Sequence, residues 1–281
     1  MNQPIKSLLK KFGVYYSLQS YYRRSLNAFS IFQSRYRYRK YAGSGFTCNV
    51  CQSGYSRFMP SFPAPENAAA LQRHKVIAGY GEQVICPFCR STARERLVLA
   101  VLQDQFNLKD KLVLHFAPEA PVYKYLNQER KVITADIEPG FYRNLDKHCR
   151  EENLCALSFE DGLFDLIICN HVLEHIKPDS LAVRELYRVM KPGGQAILQV
   201  PYTTGVEENI EIDNENNEVS RSALYGQKDH IRIYALKAYL DLLKAAGFIL
   251  HIQYPEELKK YQQFAIQPGE YVILVQKPVS A

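Results

Sequence analysis

From residue 111 onward the chain alternates short apolar, β-branched runs with stretches of helical period, and this alternation limits the possible folds more than any other feature. The runs cover residues 112–116, 131–136, 164–169 and 195–200. Near-continuous apolar runs of this length, separated by helical segments, are strands buried on both faces. The expected architecture is therefore α/β, a parallel sheet with helices on both sides. Two later runs, 248–254 and 271–276, read as a terminal antiparallel pair on the same sheet. Small ligands bind such sheets beyond the carboxyl ends of the strands, where the strand order reverses. Asp136 closes the second run, about 20 residues after the loop of the first, where a carboxylate accepts both hydroxyls of an adenosine ribose. The alternative is an Asp that only caps the next turn.

Seven cysteines are present, and four of them stand in two C-x-x-C pairs, Cys48/Cys51 and Cys86/Cys89. Each pair offers two thiolates from one tight turn, and four thiolates complete the tetrahedral shell of a structural zinc with no position left open. A redox C-x-x-C is the competing reading, but it does not explain why there are two. The pattern suits metal binding in a reducing compartment better than a disulfide framework. Residues 52–85, with Pro60, Pro63 and Pro65, are expected to form a sizeable excursion between the pairs. Ser91 is expected to cap a helix running from Thr92 to about Phe106. Cys149, Cys155 and Cys169 fit no metal pattern and read as buried free thiols.

The net charge of +6 is unevenly placed. Residues 1–45 hold nine Lys and Arg and no acidic residue, which leaves the body of the chain slightly acidic. Ile5, Leu8, Leu9, Phe12, Tyr15 and Tyr16 recur at spacings of three and four, the pattern of an amphipathic helix, and alternating Arg and Tyr follow from Arg35 to Tyr41. Such a tail suits an anionic membrane surface or single-stranded nucleic acid, or a helix packed on the domain or on a dimer partner. No stretch approaches the roughly 20 apolar residues of a membrane span, and no secretory signal is evident. A soluble cytoplasmic protein, peripheral to a membrane at most, is expected. The division expected is a basic tail (1–45), a zinc-knuckle segment with a connecting helix (46–106) and an α/β domain (107–281).

The segment from Phe164 to Ile176, followed by Glu185 to Gly194, resembles the fourth-to-fifth-strand region of class I S-adenosylmethionine-dependent methyltransferases of the type 11 group. Asp229-His230-Ile231-Arg232 and Ala246-Gly247-Phe248 are similar to later segments of that group, and residues 114–119 with the upstream Cys-Pro-x-Cys resemble a subset carrying a cysteine-knuckle N-terminus. The resemblance implies a Rossmann-like seven-stranded sheet and S-adenosylmethionine as cofactor. It also implies cofactor contacts from His115, Ala117, Glu119, Asp136, Ile137, Asn153, Leu154, Asn170 and His171. The first-strand loop departs from the family's acidic-x-Gly-x-Gly, with His115, Ala117 and Glu119 at those positions. Asn153 stands where an Asp commonly meets the adenine amino group, and its carbonyl is expected to accept that hydrogen bond. Lys191-Pro192-Gly193-Gly194 is expected to end a helix with two residues able to take positive φ before a new strand.

Transfer to a hydroxyl needs alignment and a base, for which His230 and His175 are the candidates; a structural role for either is the alternative. Residues 206–219, with six acids and no base, read as a mobile loop over the acceptor. His171, Glu174 and His175 fall at i, i+3 and i+4. With His230 they resemble the Glu-x-x-Glu-His site of metal-dependent O-methyltransferases, though His replaces the first Glu and so favours a softer ion than Mg²⁺. The function implied is methylation, probing toward a hydroxyl or carboxylate of a metabolite, glycan or lipid-linked acceptor. The alternatives are a zinc-knuckle protein that binds and methylates RNA, and a catalytically silent scaffold.

Overall fold

The structure, a computed structural model, describes residues 14–129, 131–212 and 217–279. A helix, Val14–Tyr38, and a 3-10 turn, Arg39–Tyr41, precede β1 (Ala42–Thr47), which pairs antiparallel with β2 (Gly54–Tyr55) on either side of the first cysteine pair. Ile5, Leu8, Leu9 and Phe12 lie outside the described residues. A second antiparallel pair joins β3 (Met59–Ser61) to β4 (Gly81–Ile85), with the helix Pro65–Arg73 between them. The excursion expected over 52–85 is thus largely regular structure. Pro65 opens its helix in the first turn, where a missing N–H costs nothing.

The helix Ala93–Gln105 enters the main domain directly from the second cysteine pair. Its N-cap is Thr92 and not Ser91. The Thr92 hydroxyl accepts the Glu95 N–H (3.3 Å) and the Glu95 carboxylate accepts the Thr92 N–H (2.6 Å), a reciprocal cap that leaves Ser91 free to face the cysteines. Leu97 through Leu102 are all buried, as a run apolar on every side requires.

The apolar runs then become β5 (Val113–Phe116), β6 (Val132–Asp136), β7 (Arg150–Glu151), β8 (Phe164–Cys169) and β9 (Met190–Ile197). Beyond β9 come β10 (Tyr202–Thr203), β11 (Ile210–Glu211), β12 (Arg232–Ala235), β13 (Ile249–Gln253) and β14 (Val272–Gln276). The main sheet has seven strands in the order β13-β14-β9-β8-β5-β6-β7, and only β14 runs antiparallel to its neighbours. Alternation assigns the two faces. Leu114, Phe116, Ile167 and Cys169 join one core, while Val113, Leu166 and Ile168 join the other beneath the helix Ala93–Gln105. Strand order reverses at β5, which lies between β6 and β8, so the switch point opens at Phe116 and Cys169.

β9 starts earlier than the apolar run suggests. The helix Asp179–Val189 ends before Met190, and residues 190–194 form a bulge, since Phe164 pairs with Met190 and Leu166 already with Gln195. Only Gly193 takes positive φ (+76°). Gly194 serves a different purpose, because a Cβ there would sit 2.7 Å from Met190 Cγ. A small sheet, β10-β12-β11, begins just after β9, and Ile77 bridges to Tyr202 at its edge. Residues 206–219 are therefore not simply a loop. They contain β11 and the Asn217 cap of the helix Glu218–Tyr225, while 213–216 lie outside the described residues.

Candidate active site and cysteine knuckles

The two cysteine pairs fold as copies of one turn. Cys48 C=O accepts Gln52 N–H and Cys48 N–H donates to Ser53 C=O; likewise Cys86 C=O accepts Arg90 N–H and Cys86 N–H donates to Ser91 C=O. Gln52 and Arg90, each just after its second cysteine, take φ of +58° and +68°. The turns face each other, with Cys48 and Cys89 sulfurs 3.6 Å apart, Cys51 and Cys86 sulfurs 3.7 Å apart, and all four within 4.8 Å. The edge of a tetrahedral zinc–thiolate shell is about 3.8 Å, from a Zn–S bond of about 2.3 Å. Hydrogen bonds to Cys51, Cys86 and Cys89 hold Cys48 well below the ordinary thiol range, and the contact with Cys48 pushes Cys86 far above it.

Arg96 beside this cluster is fully buried. Its guanidinium donates to the carbonyls of Ser91 (2.6 Å), Phe264 (2.6 Å), Val84 (3.0 Å) and Ala265 (2.9 Å), and it lies 4.5 Å from the Phe58 ring. These partners are neutral. A buried cation without a carboxylate partner needs negative charge nearby, and a four-thiolate zinc centre, with a net charge of about −2, supplies it. The donor set and its surroundings therefore fit zinc.

At the switch point, the β5 loop keeps a glycine-like path without glycine, because Ala117 takes φ of +49°. His115 is buried at the end of β5, where its Nε2 accepts the Glu119 N–H (3.3 Å). Asn170, just past β8, donates to the Glu119 carboxylate (3.1 Å) and accepts Gln199 N–H (3.2 Å), which ties the loop to the neighbouring strand end. Burial acts to raise the Glu119 pKa, but His115, His171 and Asn170 outweigh it and hold the carboxyl below the usual range. Asp136 ends β6, accepts Glu138 N–H (2.7 Å) through Oδ1, and is pushed above the usual carboxylate range by burial. Ile137 beside it is 58% exposed.

Asn153 and Leu154 are placed differently from the others. The Asn153 carbonyl accepts Cys155 N–H (3.0 Å) within its own turn, which leaves one of its two lone pairs for another donor. Leu154 is 2% exposed and belongs to the core, which leaves only its backbone for a ligand.

Glu174, His175 and His230 gather within 4.8 Å of one another. Glu174 is buried, and neither carboxylate oxygen has a hydrogen-bond partner. His175 Nδ1 donates to Asp229 C=O (2.9 Å), a bond that leaves Nε2 as the basic nitrogen. His230 lies with its ring centroid 4.8 Å from that of His175, and burial pushes its pKa down to about 4, so it is neutral above that pH. Arg232 fixes this corner: it donates to Glu211 (2.7 Å) and Ile176 C=O (3.0 Å) and lies 2.6 Å from Asp179. His171 borders this set: its Nδ1 lies 3.7 Å from the Glu174 carboxylate and accepts from Arg94 (3.1 Å).

Two site residues carry no motif. Arg94 crosses over Gly79, where a Cβ would lie 2.7 Å from its Cδ, on its way to His171. Glu270, just before β14, is buried with Oε1 unpartnered, and it borders a cavity of about 680 Å³ walled by Ile77, Tyr80, Gln83, Leu258 and Ile266. Burial pushes its pKa up to about 7, with Arg94 acting in the opposite sense. The signal available in the sequence was an acid flanked by Gly269 and an apolar strand.

The strand order, the single antiparallel strand at β14 and the cleft at the switch point together define a Rossmann-like methyltransferase-type domain. Residues 119–198 match the family described as a methyltransferase domain. A 57-residue stretch is 42% identical to arsenite methyltransferase of Aquipseudomonas alcaligenes, covering 20% of this chain and 16% of that protein. A 98-residue stretch is 32% identical to an uncharacterised protein of Methanocaldococcus jannaschii, covering 34% of this chain and 42% of that one. The matched stretches thus span 16% and 42% of the two curated relatives' own length. A solved S-adenosylmethionine-dependent methyltransferase from Archaeoglobus fulgidus is 16% identical and aligns with a TM-score of 0.47 over 67% of this chain and 96% of its own.

Proposed function

We propose that the protein is an S-adenosylmethionine-dependent methyltransferase acting on an oxygen of a metabolite, glycan or lipid-linked acceptor. The observation that carries this reading is the Asp136 carboxylate at the end of β6, beside a β5 loop whose Ala117 keeps a glycine-like backbone. Asp136 would hold the ribose hydroxyls, Ile137 would cover a face of the adenine, and Glu119 would meet the ammonium group. The cofactor supplies an electrophilic methyl group. The basic Nε2 of His175, left free by the Nδ1 bond to Asp229, would take the proton of an acceptor hydroxyl. The four cysteines would hold a structural zinc and take no part in the chemistry.

Calorimetry with S-adenosylhomocysteine tests the central claim. The wild type is expected to bind near micromolar, and Asp136→Ala, checked for intact folding, to bind roughly 100-fold more weakly. A folded wild type that does not bind would overturn the reading in favour of a silent scaffold.

One observation supports a further role for the histidine pair. A buried carboxylate with both oxygens unpartnered, beside two imidazoles, is a donor set for a divalent cation such as Zn²⁺ or Mn²⁺. Titration with Mn²⁺ followed by electron paramagnetic resonance should show one bound ion, lost in Glu174→Gln. Equal binding by both proteins would remove Glu174 from the ligand set, and no binding would leave His175 as a base alone.

A further inference from the structure

Among the described side chains, Ser34 and Arg35 fasten the helix Val14–Tyr38 to the second cysteine knuckle. Ser34 is buried and accepts the Arg90 guanidinium (3.1 Å), while Arg35 donates to Phe88 C=O (3.3 Å) and lies 3.8 Å from the Phe88 ring. With that face held by the second cysteine knuckle, the opposite face presents Tyr22, Leu26, Phe29, Phe32 and Tyr36, each between 49% and 69% exposed. Their spacings are four, three, three and four, which places them in one stripe about 21 Å long. Single exposed apolar residues are ordinary, but five in register on one helix form a contact surface.

Charge selects the occupant. Ten Lys and Arg and no acidic residue precede Glu66, so the stripe is carried by a uniformly basic stretch of chain. A second copy of the chain would set one such cationic surface against another. Nucleic acid would match the charge but has no use for Leu26 and for a continuous ring-and-alkyl stripe. An anionic phospholipid surface satisfies both properties, because the headgroups take the cations while the acyl boundary takes the side chains. No helix among the described residues is long and apolar enough to cross a membrane, so this one would lie in the interface.

We propose that the helix Val14–Tyr38 docks its Tyr22–Tyr36 stripe on an anionic phospholipid surface and holds the α/β domain there through the Ser34 and Arg35 contacts. The inference does not depend on the methyltransferase reading. Full-length protein is to be sedimented with vesicles of phosphatidylglycerol and, separately, of phosphatidylcholine. Binding to phosphatidylglycerol should exceed binding to phosphatidylcholine by roughly tenfold at low salt, and Phe29→Ser/Phe32→Ser should lose roughly tenfold or more. Both positions are exposed, and an unchanged melting temperature would establish that the variant is folded.

Several results would overturn the proposal. One is wild-type protein that stays in the supernatant, and another is a double variant that binds phosphatidylglycerol as well as wild type does. A dimer in analytical ultracentrifugation that the double variant abolishes would assign the stripe to a second copy. Loss of binding to a 20-nucleotide RNA in the same variant, without loss of vesicle binding, would assign it to nucleic acid.

Discussion

Cys86→Ser protein should lose its zinc, from one equivalent per chain to well below one, and melt at least about 10 °C lower than wild type. Zinc bound to four thiolates contributes on the order of 10 kcal/mol to the folding of small domains, and three remaining ligands hold it far less firmly. The effect should spread beyond the knuckles. Ser91 and Thr92 lead straight into the helix Ala93–Gln105, and Arg96 on that helix binds carbonyls from β4, the knuckle turn and the segment at Phe264 and Ala265. Without the thiolate charge, Arg96 becomes an uncompensated buried cation, which costs about 3–5 kcal/mol where it has been measured in other proteins. Cys155→Ser, at a half-buried thiol outside the cluster, is the control and should keep both the metal and the melting temperature. Metal analysis by plasma emission together with thermal unfolding decides the matter. Wild-type protein that contains no zinc would sink the four-thiolate reading.

Glu270→Gln should abolish a fall in stability that wild type shows between pH 4.5 and pH 8. A free Glu ionises near 4.5, whereas burial raises this carboxyl to about 7 in the folded chain. Between those values the folded state keeps a proton that the unfolded state has released, so stability falls as pH rises. The slope is at most about 1.4 kcal/mol per pH unit, and the total is on the order of 3 kcal/mol. Below pH 4.5 both states are protonated and the contribution is fully present. The amide stays neutral throughout, so the variant should match wild type near pH 4.5 and exceed it by about 3 kcal/mol at pH 8. Urea unfolding of both proteins at the two pH values isolates the difference, since all other titrating groups are shared. Parallel pH profiles would show that Glu270 does not titrate as its burial requires. A carboxyl kept at this cost, with one oxygen unpartnered beside a cavity, is better accounted for by a ligand than by packing.

The central sheet was legible because its signal is local. β8 falls on the expected residues 164–169, since an apolar run between an acidic turn and a polar one can form little else. Boundaries shaped by distant contacts were harder. The start of β9 is hidden by Pro192, Gly193 and Gly194, which read as the end of a helix but form a bulge opposite Phe164. Ser91 and Thr92 are both good caps by composition. Which one serves depends on Glu95 reaching back to Thr92 and on Ser91 lying 3.3 Å from the Cys48 sulfur, 43 residues earlier.

The same distinction applies to the site. Asp136 and the four cysteines carry spacing that can be read along the chain. Asn153 matched a family position, and its carbonyl is also engaged by its own turn. Arg94 and Glu270 carry no pattern at all. Arg94 matters because it meets His171, 77 residues away, and Glu270 because the segment at Ile77 and Tyr80 folds back to enclose it.

Arg94 has one charge and acts on two groups. It donates to His171, passes over Gly79 in the wall of the cavity, and lowers the pKa of Glu270. The same guanidinium holds down the pKa of both His171 and Glu270, so one side chain sets the charge state of two groups that lie far apart along the chain.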